Sequence, residues 1–374
     1  MNSAVTPPRT AWFMVSHSSA GGAQEIWANL AEGFHRQGDK VQLMALYPMR
    51  ETVREAPPEL PWRYVVPVRP TRPTAQLAML RTLIAMIRRE KPDVIFTAMP
   101  AANVMAALAA RIAGDGTRVV LSHHSPAETH NPMLNRVDSV AGSLSSVSAI
   151  VSVSDTVGRS LDAKPAAYRA KRITIHNALP PSIESLLGEL DKGVRSTAPQ
   201  GRKVVATGRL ARQKNYPLLV RAATHMPDVT IDIVGNGPDE DMLKGLARDL
   251  DVDDRVHFLG HRRREDAMRI LAGADVFAQV SLFEGHSLGL IEAAKLGLPL
   301  VVSDVPVQIE GITATDGERC GIAVGVNDEV GLAHAILGVL DNGHVRARLS
   351  GLSRKLAENA TFDAMVAAYR GLLP

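Results

Sequence analysis

Two carboxylates, two cations and a pair of histidines supply most of the chemistry this sequence could perform. Glu284 and Glu292 stand eight residues apart, a little over two turns at about 3.6 residues per turn. A loop running into a helix could therefore aim both at one ligand. The backbone N–H groups near Gly285 to Leu288 sit where that helix would begin, a natural seat for an anion. Arg209 and Lys214, five residues apart, follow a strand-like run, Lys203 to Gly208. A fixed guanidinium and an ammonium reaching one site from such a loop can neutralise a diphosphate as its charge develops. His123 and His124 follow the apolar run Val119 to Ser122. Histidines at the carboxyl end of a parallel strand lie in the crevice where ligands bind, able to hydrogen-bond a hydroxyl or exchange a proton near neutral pH. Taken alone, each of these groups is also compatible with a solvated loop or turn residue.

The elements needed to position these groups follow a repeated strand, turn, helix pattern. Thr10 to Ser16 is an apolar strand; Gly21 and Gly22 form a glycine turn; Ala23 to Gln37 has apolar Ile26, Leu30 and Phe34 at helical spacing; Val41 to Leu46 is the next strand. That succession builds a parallel, doubly wound sheet whose glycine turn opens on the ligand crevice. Further strands are expected at Arg63–Val68, Val94–Thr97, Ser148–Ser154 and Arg172–His176, then at Thr230–Gly235, Arg255–Leu259, Ala274–Val280 and Leu298–Val302. The Gly235-Asn236-Gly237 spelling lacks the further glycine of a dinucleotide fingerprint and reads as a tight turn beneath a ligand. Thr74 to Lys91 is a helix with Leu77, Leu80, Ile84 and Ile87 on one face and Arg81, Arg88 and Arg89 elsewhere. It suits either a core-facing helix with a solvated basic side or an interfacial helix on anionic lipid.

The segment Ser281 to Asp304, with Glu284-Gly285, Glu292-Ala293 and Gly297-Leu298-Pro299, resembles the nucleotide-sugar site of the retaining glycosyltransferases of family four. Gly208-Arg209-Leu210 followed by Lys214-Asn215 resembles a second segment of the same family. The sequence departs from the family's pattern at His286 and Lys295. The resemblance implies an α/β chain of the GT-B class, two Rossmann-like doubly wound domains facing each other across a cleft. It implies a first, acceptor-binding domain over residues 1–180, a connection at 181–201 and a nucleotide-sugar domain over 202–359, with a final helix at 360–374 returning to the first.

By the same resemblance Arg209 and Lys214 bind the donor diphosphate, helped by Ser287, Leu288 and Gly289, and Glu292 accepts from the ribose hydroxyls. Glu284 and His124 lie at the sugar and the reacting carbon, although the register leaves His123 as the other candidate. Gly21, Gly22 and His123 belong to the acceptor and phosphate loop, and Gly235, Gly260, His261 and Arg262 to the base. The donor is a UDP- or GDP-sugar and the acceptor a hydroxyl of a glycan or lipid-linked molecule, as in cell-envelope polysaccharide or glycolipid synthesis. A sugar-nucleotide epimerase, a phosphorylase of the same fold and a non-catalytic nucleotide-sugar-binding module are the rival readings. No cofactor is implied and no metal: Asp251-Val252-Asp253 spells Asp-x-Asp but falls between a helix and a strand.

Size and composition set the outer limits. The 374 residues suffice for two domains with their own cores. A 45% hydrophobic and 22% charged composition describes a folded chain rather than a disordered one. The single cysteine, Cys320, excludes an internal disulfide framework and fits a reducing compartment. No apolar run approaches the roughly 18–20 residues of a membrane span, and the first ten residues lack a secretory layout, so the expected location is the cytoplasm. Residues 1–180 hold 20 Lys and Arg against 13 Asp and Glu, whereas residues 181–374 hold 22 against 26. The basic first half could bring the protein to an anionic membrane on the inner face of the plasma membrane. No nucleic-acid partner is expected.

Overall fold

The first strand, β1 (Thr10–His17), is apolar on both sides, as a strand in the middle of a parallel sheet must be. Alternation along it divides the first core. Trp12 and Met14 join the helices Pro73–Glu90, Pro100–Ala113 and Pro132–Ser143 in one buried cluster. Phe13 points to the other face and meets Trp27 and Phe34 of the helix Gly22–Arg36. The computed structural model describes residues 9–49, 56–191, 201–356 and 361–373. Residues 1–8 and 50–55, and residues 192–200 of the expected connection, lie outside them.

Two compact units result, Met1–Asn177 with Asp363–Pro374 and Ala178–Phe362. The first holds β2 (Lys40–Tyr47), β3 (Arg63–Tyr64), β4 (Val94–Ala98), β5 (Arg118–His123), β6 (Val147–Ser152) and β7 (Arg172–Thr174). Its sheet runs β3-β2-β1-β4-β5-β6-β7, with all pairings parallel. The second holds β8 (Lys203–Thr207), β9 (Thr230–Val234), β10 (Val256–Gly260), β11 (Val276–Gln279), β12 (Leu300–Ser303) and β13 (Ile322–Val324). Its parallel order is β10-β9-β8-β11-β12-β13. Both sheets reverse direction of growth beside their first strand, between β1 and β4 and between β8 and β11. That reversal opens a crevice at the carboxyl ends of the two strands, the ligand position of a doubly wound sheet.

Two expectations change. Residues 181–191 are not connection: Pro181–Asp191 is a helix whose Ile183 and Leu187 are buried in the second unit's core. A proline at its first position and apolar residues four apart account for it. The third strand is also shorter than the sequence pattern suggests, although the amides of Val65 and Val66 still bond Ala45 and Leu46. The helix Phe362–Arg370 packs with the first unit, where Tyr369 is buried edge-on against Trp27 and Phe96, both at 5.9 Å. Among the described residues, no helix is long and apolar enough to cross a membrane.

One close approach in the first unit yields a direct test. A Cβ on Gly142 would lie 2.2 Å from the ring of buried Tyr168. Gly142→Ala should therefore destabilise this unit by about 1–3 kcal/mol through overpacking. All three tryptophans, Trp12, Trp27 and Trp62, belong to the first unit, so denaturation followed by intrinsic fluorescence reads the effect. An unchanged midpoint would show that Tyr168 can move aside.

Candidate functional site

The second unit's crevice is built from three loops. After β8, Gly208 takes φ +137, and the Lys214 side chain lies across its face. A Cβ on Gly208 would meet Lys214 Cε at 2.4 Å. Lys214 thereby reaches the loop after β11, where its Nζ lies 2.7 Å from Glu284 Oε1. Ser281 Oγ donates to the same oxygen at 2.7 Å, and Gln213 Nε2 donates to Oε2 at 3.3 Å. Tyr216 supports the arrangement from beneath, its hydroxyl donating to the Gly208 carbonyl at 3.4 Å. Burial, with the Glu284 charge beside it, raises the Tyr216 hydroxyl well above its usual range, so it stays protonated. The loop after β9 seals the third side. Gly235, at φ +147, brings its Cα where a Cβ would stand 2.0 Å from the Gly208 carbonyl oxygen.

The helix expected to begin near Gly285 to Leu288 starts at the last of these residues. The helix is Leu288–Lys295, with Ser287 as N-cap, its Oγ accepting from Leu290 N. Ser287 Oγ also donates to Gln279 Oε1 at 2.6 Å, and Gln279 Nε2 donates to Gln308 Oε1 at 2.8 Å. This buried amide chain fixes the cap. The amides of Leu288 and Gly289 precede the first turn's Ile291 N to Ser287 O bond, which leaves them outside the intrahelical ladder. Gly289 lets the helix sit on β8, since a Cβ there would be 2.5 Å from Thr207 Oγ1.

The two carboxylates meet different cations. Glu284 holds Lys214, whereas Glu292, buried on the helix, pairs with Arg264 at the start of the helix Arg264–Ala272. Arg209 is exposed next to Gly208, and His261 and Arg262 are exposed after β10. The Gly260 carbonyl accepts from Gly235 N at 3.0 Å, which joins the two loops. Ser281, Gln213, Gln279, Gln308 and Arg264 escaped the sequence reading. The available signal was polar residues inside strand-like apolar runs, as in Ala278-Gln279-Val280-Ser281.

In the first unit the histidines separate. His123 is the last residue of β5 rather than the first of the loop. It is buried, with Nε2 2.7 Å from the Tyr168 hydroxyl. Asp138 Oδ2 accepts from Tyr168 at 3.0 Å and from Lys164 at 2.8 Å. Because the tyrosine proton goes to Asp138, the hydroxyl must accept from His123, which fixes the Nε2–H tautomer. His123 thus belongs to an internal polar cluster, not to a phosphate loop. His124 turns the other way, with Nε2 3.1 Å from Ser122 Oγ and its ring edge-on to Trp27. Burial, with His123 nearby, depresses it to about 3, so it is neutral across physiological pH. Gly21 caps the helix Gly22–Arg36, and a Cβ on Gly22 would meet nothing within 4 Å. Packing within the chain does not demand glycine at Gly22.

Sheet order, the two switch points and the loops around them define a two-unit Rossmann-like chain of GT-B type. Residues 20–182 match the family described as Glycosyltransferase Family 4, and residues 191–360 match Glycosyl transferases group 1. The chain belongs to the group 1 glycosyltransferases. The lipopolysaccharide core biosynthesis glycosyltransferase LpsE of Rhizobium meliloti is 30% identical over 187 residues, covering 49% of this chain and 53% of that protein. The D-inositol 3-phosphate glycosyltransferase of Mycolicibacterium smegmatis is 34% identical over 188 residues, 46% of this chain and 41% of the relative. These matches thus span about half or less of each relative's length. Anabaena Alr3699/HepE, crystallised with UDP-glucose, superimposes with a TM-score of 0.77 at 18% identity, over 97% of this chain and 99% of that one.

Two outcomes follow. Gly208→Ala should displace Lys214 from Glu284, and isothermal titration should then show nucleotide diphosphate binding weakened at least about tenfold, as expected when a charge-assisted contact is lost. Undiminished binding would free Lys214 of this role. Burial also lowers His123, and lowers His130 to about 4. The folded state therefore binds fewer protons than the unfolded chain below about pH 6.5. Stability should be full above that pH and fall toward pH 4, by about 1.4 kcal/mol per pH unit for each histidine kept neutral. Fluorescence-monitored denaturation at pH 7.5, 6 and 5 checks this; equal midpoints would contradict it.

Proposed function

We propose that this chain is a retaining, metal-independent glycosyltransferase. It moves a sugar from a UDP- or GDP-sugar to a hydroxyl of a glycan or lipid-linked acceptor in cell-envelope polysaccharide or glycolipid synthesis. The observation that carries the reading is the Lys214–Glu284 pair seated over Gly208 at the switch point, beside a Ser287-capped helix. A lysine ammonium has three protons, so Lys214 can keep Glu284 and still donate to a phosphate oxygen. Arg209 and the amides of Ser287 to Gly289 add donors for the same diphosphate, and Glu292 serves the ribose. These cationic groups meet the charge that a divalent ion meets elsewhere. The UDP-glucose complex of the Anabaena neighbour and the lipopolysaccharide role in the Rhizobium relative's name support the choice of donor and acceptor classes.

In the reaction proposed, the acceptor oxygen bonds the anomeric carbon on the face the diphosphate leaves. The acceptor's proton passes to the departing phosphate oxygen, so no protein base is required. Glu284, held by three donors, steadies the sugar and its developing positive charge. His124 contributes a neutral imidazole for hydrogen bonding, and the open space at Gly22 suits a close backbone approach by substrate.

Melting temperatures with UDP, GDP, ADP and their common sugars, without metal, test the donor class, since ligands of the native state raise them by mass action. One nucleotide series should stabilise the protein, and Arg209→Ala and Lys214→Ala should abolish the shift. With that donor and an acceptor, turnover should persist in excess chelator, the product should keep the donor's anomeric configuration, and Glu284→Gln should lower kcat by about 10²–10³. A strict metal requirement, or sugar release needing only inorganic phosphate, would overturn the proposal.

A further inference from the structure

Three consecutive arginines, Arg262, Arg263 and Arg264, follow β10, and they do not share a fate. Arg262 and Arg263 are exposed, whereas Arg264 is half-buried, its side chain 25% accessible. Arg264 is also the first residue of the helix Arg264–Ala272. A cation there opposes the helix dipole, while Glu265 and Asp266, the next two residues, suit it. Helix stability therefore gives no reason for an arginine at this place. Its guanidinium instead crosses to the helix Leu288–Lys295 and donates from Nη2 to Glu292 Oε1.

Glu292 needs such a partner. Its side chain is 6% accessible, and a carboxylate so enclosed is costly unless its charge is paired and hydrogen-bonded. The cation on its own helix, Lys295, is held by Glu184 at 3.2 Å. The contact with Arg264 also has a place in the crevice. Glu292 is four residues beyond Leu288, about 6 Å along the axis at about 1.5 Å per residue, so it lies one turn from the helix start assigned to the diphosphate. Arg264 is four residues beyond Gly260, whose carbonyl accepts from Gly235 N at 3.0 Å. The Arg264–Glu292 contact thus joins the loops after β9 and β10, the expected base side, to the helix that carries the ribose carboxylate.

We propose that Arg264 is the positioning residue for ribose recognition: it holds the Glu292 carboxylate in the direction from which that group accepts the ribose hydroxyls of the nucleotide. A carboxylate has about four acceptor sites, so Glu292 can keep Arg264 and still serve two hydroxyls. This role presupposes the nucleotide site proposed above. Arg264 acts through Glu292 and takes no part in binding the diphosphate, which Arg209 and Lys214 meet.

Titration calorimetry with UDP and its dideoxy form, which lacks both ribose hydroxyls, and with GDP and dideoxy-GDP in parallel, tests this role. The wild-type chain should bind the ribonucleotide of its donor class at least about tenfold more tightly than the dideoxy form, as expected for hydrogen bonds to a charged group. In Arg264→Met that preference should collapse while the dideoxy affinity is unchanged, which also shows that the site is folded. Arg264→Lys, which restores a cationic donor, should recover part of it. Glu292→Ala should remove the preference, and adding Arg264→Met to it should leave the ratio where it is, because a residue that acts only through its partner is not additive with it. Full preference in Arg264→Met, or equal weakening of both forms in Arg264→Met and Arg264→Lys, would overturn the role. Wild-type binding without any preference would overturn it too, while leaving the diphosphate site standing. Binding of neither nucleotide in either form would overturn the donor reading and this role together.

Discussion

A lysine laid over a glycine is the constraint on which the second unit's site depends. The Lys214 methylenes occupy the space a side chain at residue 208 would fill, and only that path lets the ammonium reach Glu284. The backbone must then take a left-handed turn at Gly208, and Gly235 must bring its own main chain against the Gly208 carbonyl. The strand order supplies the rest. Because the sheet reverses between β8 and β11, their two loops diverge above the sheet and leave a crevice rather than a covered edge.

Much of this was legible in the sequence because the informative residues are local. Strand runs, the Ser287-capped helix and the loop bearing Arg209 and Lys214 are all set by neighbours within a few positions. What sequence could not supply were contacts between distant segments. The Lys214–Glu284 pair spans 70 residues, and the Arg264–Glu292 pair joins two helices. Spacing allows Glu284 and Glu292 to face one ligand; which cation each meets depends on the packing of whole strands. The same holds for Pro181–Asp191, whose polar ends read as connection until Ile183 and Leu187 find a core.

The histidine pair shows how one residue of register changes chemistry. Alternation sends His123 inward and His124 toward Trp27. Inside, His123 joins a chain in which every hydrogen is assigned by its neighbour: lysine and tyrosine to Asp138, histidine to tyrosine. Such a chain is costly to break, because each member left alone would be a buried polar group without a partner. It anchors the end of β5 while leaving the adjacent residue for other work.

The aromatic packing of Tyr369 on Trp27 and Phe96 has a consequence for how the protein is made. The 185 residues of the second unit, Ala178–Phe362, are synthesised before the helix that carries Tyr369. At ribosomal rates of about 5–20 residues per second, roughly 10–40 s pass between completion of the first sheet and arrival of its last helix. Through that interval the nascent first unit keeps an uncovered aromatic surface, a natural binding target for a chaperone at the ribosome.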